Sequence, residues 1–126
     1  MNPALYAPEL ASPNSPMKIE VQKLGRDVLI RLAGRLDMNS SPDLRKTALT
    51  VCSRGKCNSL TIDLGEVPFI DTSGLATLLE ILVTTKEQHK QLILCGLNER
   101  VRYLIDVNGL TGFFRIEDPA EERLRL

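Results

Sequence analysis

Residues 63–75 read Asp63-Leu64-Gly65-Glu66-Val67-Pro68-Phe69-Ile70-Asp71-Thr72-Ser73-Gly74-Leu75, and this stretch decides the fold. Leading into it, Leu60, Ile62 and Leu64 alternate with polar neighbours, the period of a half-buried strand. Beyond it, Leu75, Leu78, Leu79 and Leu82 recur at i, i+3, i+4 and i+7, the apolar stripe of a long amphipathic helix. The turn Asp71-Thr72-Ser73-Gly74 thus sits where a strand hands over to a helix. It holds one carboxylate and two hydroxyls at the positive end of the helix dipole, where hydroxyls are expected to be solvent-accessible.

On the amino-terminal side, Met17 to Leu24 and Val28 to Ala33 each alternate apolar and polar residues, and Gly25-Arg26-Asp27 between them supplies turn chemistry. A β-hairpin is predicted. Gly34-Arg35-Leu36-Asp37 then leads to Asn39, Ser40, Ser41 and Pro42, where short polar side chains can cap a helix and proline can occupy its first turn. The helix that follows is expected to run about a dozen residues on a stripe of Leu44, Ala48, Leu49 and Cys52, ending at Gly55. On the carboxy-terminal side, Gln91 to Cys95 reads as a buried strand closed by Gly96. Asn98 can cap a helix carrying Val101, Leu104 and Ile105 up to Asn108-Gly109. Phe113 to Ile116 reads as a last strand and Pro119 to Leu126 as a short charged helix.

The element order is ββαβαβα(β)(α). Strands separated by helices pair in parallel through right-handed crossovers, while the first hairpin is antiparallel. An α/β fold is therefore expected, a single domain with a mixed sheet of four or five strands, a β-hairpin at its amino-terminal end, and helices. The length of 126 residues, 43% hydrophobic and 25% charged, suits one domain over residues 17–126. Residues 1–16 hold prolines at 3, 8, 13 and 16 and no basic residue. They read as a disordered leader without the charged region of a signal peptide, and a cytoplasmic protein is expected.

Charge narrows the partners. Lys plus Arg and Asp plus Glu both number 16, so no net field draws the chain to nucleic acid or anionic lipid. The apolar run Leu75 to Val83 is broken by Glu80 and falls far short of the roughly 20 residues that span a bilayer, so no membrane insertion is expected. Cys52, Cys57 and Cys95 are odd in number and lack C-x-x-C spacing, and read as buried or inert thiols.

For the 71–74 turn two readings stand side by side: Asp71 or Thr72 caps the helix while Gly74 permits tight packing, or a hydroxyl is modified. Phosphorylation would add about 1.5 to 2 negative charges beside Asp71. Like charges about 4 Å apart repel by roughly 1 kcal/mol in water and about 4 kcal/mol at an effective dielectric near 20, enough to abolish docking. Serine chemistry at Ser73 needs a base within reach, and the single histidine, His89, lies about 24 Å along the same helix. The G-x-S-x-G elbow is missing as well. Asp37, Asp63 and Asp71 suggest the acidic pocket of a receiver domain, but a receiver starts strand-helix, not with a hairpin. No P-loop, dinucleotide-binding glycine run or zinc-ligand cluster is present, so no cofactor and no metal are expected. Thr77, Glu80, Thr84 and Glu87 fall opposite the leucine stripe, and the first two turns of this helix are the docking candidate.

Three segments resemble the STAS family, whose best-known soluble members are bacterial anti-sigma factor antagonists. Gly34-Arg35-Leu36-Asp37 resembles its G-x-L-D segment. Asp63-Leu64 through Ile70-Asp71-Thr72-Ser73-Gly74-Leu75 resembles its phosphorylation-site segment, and Leu97 through Val101 to Gly109-Leu110 its closing helix and turn. They cover Met17 to about Glu117 in order. The resemblance implies a non-enzymatic partner switch. The unmodified antagonist binds an anti-sigma factor that is also a serine/threonine kinase, thereby regulating transcription, and phosphorylation ends the binding. The modified residue is then Thr72, with Ser73 the second choice because serine is usual in the family. Asp37, Asp71, Thr72, Ser73, Gly74 and Thr77 form the partner-binding set. A kinase and a phosphatase are the implied partners, and a homodimer is left open. A STAS scaffold or accessory subunit of a stressosome or a lipid-transport ABC complex is the alternative.

Overall fold

The computed structural model describes residues 17–53 and 57–117. In chain order the elements are β1 (Lys18–Leu24), β2 (Asp27–Ala33), α1 (Ser41–Ser53), β3 (Ser59–Glu66), α2 (Thr72–Glu87), β4 (Gln91–Cys95), α3 (Glu99–Val107), a 3₁₀ turn (Thr111–Phe113) and β5 (Arg115–Glu117). The hairpin, three helices and crossover strands match the sequence reading. The leader at 1–16, the helix stop at Gly55 and the helix at 119–126 lie outside the described residues.

The sheet has five strands in the order β1-β2-β3-β4-β5. β1 and β2 pair antiparallel through the turn at Gly25, whose φ of +67° favours a residue without a Cβ. The three remaining pairings are parallel. Each crossover steps the same way across the sheet, so right-handed connections place α1, α2 and α3 on one face. The packing agrees. Val28, Ile30 and Leu32 of β2, Leu60, Ile62 and Leu64 of β3 and Leu92 and Leu94 of β4 form one core. Inward residues of all three helices join it, among them Leu44, Leu78, Ile81, Val101 and Ile105.

Two expectations are corrected. β3 is not half-buried: residues 59–64 are all buried, polar Thr61 and Asp63 among them, in a strand held in the middle of the sheet between β2 and β4. The last strand is not Phe113 to Ile116. A 3₁₀ turn takes residues 111–113, leaving Phe113 exposed, while Phe114 enters the core and pairing begins at Arg115.

Candidate functional site

The site grows from the end of β3. Once the strand ends at Glu66, Val67 turns back with its amide donating to the Leu64 carbonyl at 3.0 Å. The chain then runs alongside the segment that follows β2. Leu36 and Ile70 form an isolated parallel bridge, with the Leu36 amide donating to the Phe69 carbonyl at 3.0 Å and the Asp71 amide to the Leu36 carbonyl at 3.1 Å. Two loops far apart in sequence are thereby tied at the head of α2. Asn98 braces them from α3: its Oδ1 accepts from the Val101 amide at 2.7 Å as a helix cap, and its Nδ2 donates to the Val67 carbonyl at 3.1 Å.

Asp71 is the N-cap of α2. Its Oδ1 accepts from the Gly74 amide at 3.0 Å and from the Ser73 hydroxyl at 2.6 Å. Partial burial works against ionisation. The hydrogen bonds from the Ser73 side chain and from the Gly74, Ser73 and Met38 amides outweigh it and hold the carboxyl below its usual range. The two neighbouring hydroxyls consequently differ. Ser73 is half-buried with its proton committed to Asp71, whereas Thr72, the first helical residue, is exposed and its side chain makes no hydrogen bond among the described residues.

Gly74 is where the two loops meet. A Cβ there would lie 2.6 Å from the Leu36 carbonyl oxygen and 2.8 Å from side-chain carbons of Ile70 and Leu36, so only glycine lets α2 start this close to the bridge.

Asp37 comes to the site by this bridge, but its carboxylate is turned inward. Oδ1 accepts from the Asn39 amide at 2.9 Å and the Ser40 amide at 3.2 Å, and Oδ2 lies 3.7 Å from Arg35 Nε. Ser40, predicted as a simple helix cap, instead donates to the Arg35 carbonyl at 2.7 Å and accepts from the Asp37 amide at 3.0 Å. The pair stiffens the loop leading into α1.

Thr77 does not belong to the exposed site. It is 7% exposed and lies on the buried side of α2. α1 lies alongside α2, bridged at the surface by Arg45 Nε to Glu80 Oε2 at 2.7 Å, and the buried side of α2 is wider than the leucine stripe implied.

Sequence reasoning passed over Met38 and Phe69. Met38 is 71% exposed beside Asp37, and Phe69 is 39% exposed three residues before Thr72. Their signal was available: two large apolar residues in loop segments with no periodic element to bury them. Asp63 stands apart from the site. Its Oδ1 accepts from the Gly65 amide at 2.8 Å and its Oδ2 pairs with Arg31 Nε at 3.3 Å, so it locks the strand ends and shares no pocket with Asp37 and Asp71. Among the described residues no group of three His, Cys, Asp or Glu side chains could hold a metal ion. None of their helices is long and apolar enough to cross a membrane.

Comparison with known proteins gives this geometry a family. The chain is similar to the anti-sigma-B factor antagonist of Bacillus subtilis (strain 168), 29% identical over 105 residues that cover 83% of this chain and 94% of the relative. The fold matches SpoIIAA, an anti-sigma factor antagonist solved in its unphosphorylated form, at a TM-score of 0.71 and 23% identity over 85% of this chain and 96% of that one. SpoIIAA of Bacillus, a cell fate determinant, is also solved in the phosphorylated form. An anti-sigma factor antagonist from Mycobacterium paratuberculosis matches at a TM-score of 0.76 and 21% identity over 91% and 96% of the two chains. The STAS domain model matches residues 18–122, nearly the whole chain, and the protein belongs to the STAS domain family.

Proposed function

We propose that this chain is an anti-sigma factor antagonist that works as a partner switch, with Thr72 as the residue whose modification throws it. Its relatives carry that name, and one of them exists in both unphosphorylated and phosphorylated forms. The observation that carries the choice of residue is the contrast between the two hydroxyls. Ser73 donates to Asp71 at 2.6 Å, and a kinase would have to break that hydrogen bond to use it, whereas Thr72 stands exposed on the same turn.

The unmodified surface around Thr72 suits docking. Met38, Phe69 and the exposed Ala76 offer apolar contact, and the Asp37 and Asp71 carboxylates are already satisfied by the chain's own donors. A partner that dehydrates this turn binds the unmodified hydroxyl at small cost. Phosphate on Thr72 places about 1.5 to 2 negative charges beside the ionised Asp71. Burying that cluster costs roughly 1 to 4 kcal/mol, a loss of five- to a thousandfold in affinity. The partner is an anti-sigma factor that is itself a serine/threonine kinase, and a phosphatase resets the switch in the cytoplasm. The chain supplies a substrate hydroxyl and a docking face, not catalysis.

Incubation with ATP and the cognate kinase, read by mass spectrometry, tests the assignment. Wild type and Ser73→Ala are expected to gain one phosphate and Thr72→Ala none. Thr72→Glu is expected to lose partner binding that Thr72→Ala keeps. Phosphate on Ser73 in wild type, or undiminished binding by Thr72→Glu, would sink the proposal.

A further inference from the structure

α2 packs closely along α1, whereas α3 stands off from α2. The crossovers set the helices in the order α1, α2, α3 over one face of the sheet, with α2 and α3 running in the same direction. Glu80, bridged to Arg45, marks the α1 side of α2 and shares its stripe with Thr84 and Glu87. The stripe Leu79, Val83 and Lys86, at i, i+4 and i+7, turns away from α1 towards α3. With Val101 and Ile105 of α3 pointing into the core, the same handedness puts Arg100, Leu104 and Val107 on its α2 side, again at i, i+4 and i+7.

Between the two stripes runs a groove. Leu79 and Leu104 are half-buried and rest on the core as its floor. Val83 and Val107 are 54% and 55% exposed as its walls, and Tyr103 is 65% exposed on the outer rim of α3. Apolar side chains of this size left open on facing helices mark a contact surface. The Thr72 turn does not account for them, since Val83 lies about three helical turns further down α2.

The charges at the two ends of the groove are both positive. Arg100 stands near the heads of the helices and Lys86 near the foot of α2, both exposed, and neither joins an ion pair among the described residues. The nearest carboxylates face elsewhere: Glu80 and Glu87 lie on the α1 side, and Asp106 lies on the outer side of α3, where its Oδ1 accepts from the Thr111 hydroxyl at 3.3 Å. This arrangement selects the occupant. A second copy docked antiparallel about a two-fold axis would set cation against cation. A flat bilayer would touch the walls but not the recessed leucines. An amphipathic helix fits both features, its apolar stripe filling the groove and its carboxylates meeting the two cations.

We propose that the α2–α3 groove is a second docking surface, separate from the Thr72 turn, for an acidic amphipathic helix of a partner protein. The helix enters between Val83 and Val107 and pairs with Lys86 and Arg100. A partner held there stays attached whether or not Thr72 carries phosphate.

The probes are two helical peptides of about 15 residues, long enough to run the groove, with leucines along one face flanked by glutamates in one and by lysines in the other. Each is titrated into the full chain carrying isotope-labelled Leu and Val methyl groups. The glutamate peptide is expected to shift the methyl signals of Leu79, Val83, Leu104 and Val107 and to leave those of Val21 and Leu29 in place. Val107→Asp is expected to weaken it about tenfold. The double variant Lys86→Glu with Arg100→Glu, whose sites are exposed, is expected to lose the glutamate peptide and take up the lysine peptide, which decides the matter should Val107→Asp fail to fold. Thr72→Glu is expected to bind the glutamate peptide like wild type, so that this surface and the switch stand or fall separately. Equal binding of both peptides, shifts confined to Leu36 and Leu75 beside the Thr72 turn, loss of binding in Thr72→Glu, or no shift at millimolar peptide overturns the proposal. Movement of the groove methyls by phosphatidylglycerol vesicles or by self-association of the chain, in place of the glutamate peptide, overturns it as well.

Discussion

Thr72 and Ser73 are adjacent hydroxyls in different surroundings, and the difference lies in one hydrogen bond. Because Ser73 donates to the cap residue Asp71, its replacement should show in stability and that of Thr72 in regulation. Asp71→Ala removes the acceptor of both the Gly74 amide and the Ser73 hydroxyl and is expected to cost about 1 kcal/mol in chemical denaturation. The sign of the pH dependence follows from the lowered carboxyl. Asp71 contributes its stability in full above its unfolded value of about 3.9, and that contribution is lost as pH falls through the lower folded value. Acid denaturation of Asp71→Asn should therefore lack this component between neutrality and strong acid. The sequence made the turn and its cap legible, since a polar tetrad between two periodic segments has few other uses. It did not reveal which hydroxyl is committed, because that depends on a rotamer. Nor did it reveal that Thr77 is buried, because helical spacing marks the widest apolar stripe but not the second neighbour along its flank.

At the level of elements, the ends carry the information. α2 stops at Glu87, and His89 follows with a φ of +59°, a left-handed position usually filled by glycine. Its amide donates to the Lys86 carbonyl at 3.0 Å and the Lys90 amide to the Thr85 carbonyl at 2.8 Å, closing the helix at the expense of strain at an exposed histidine. His89→Gly is expected to raise stability by about 0.5–1 kcal/mol in thermal or denaturant unfolding. Gly96 shows the reverse. Its φ is +72°, and a Cβ would fall 2.7 Å from Asp63 Oδ1 and 2.8 Å from the Gly65 amide nitrogen. Gly96→Ala is expected to cost about 2–4 kcal/mol, read by the same unfolding curves. Gly96 was legible as the end of a strand; its contact with Asp63 was not, since it joins two strands more than thirty residues apart. The burial of β3 was hidden for a related reason. Thr61 and Asp63 are polar, and only their place in the middle of the sheet encloses them.

For the molecule as a whole, the strand order β1-β2-β3-β4-β5 makes the sheet asymmetric, with α1, α2 and α3 on one side. Native-state amide exchange should be slowest in β3, paired on both sides, and faster in the edge strands β1 and β5. The element sequence ββαβαβα was readable from hydrophobic period and punctuation, and with right-handed crossovers it implied the parallel pairings. What it could not supply was the juxtaposition of the 34–38 segment with residues 69–74, which rests on a single bridge between Leu36 and Ile70. That weld, and the bare Gly74 that lets it close, have an evolutionary consequence. The side chains at 38 and 69 face outward and carry none of the backbone hydrogen bonds that make this joint. Position 74 cannot follow them: any side chain there would push the head of α2 away from Leu36 and Ile70, so surface drift leaves the joint between the two loops where it is.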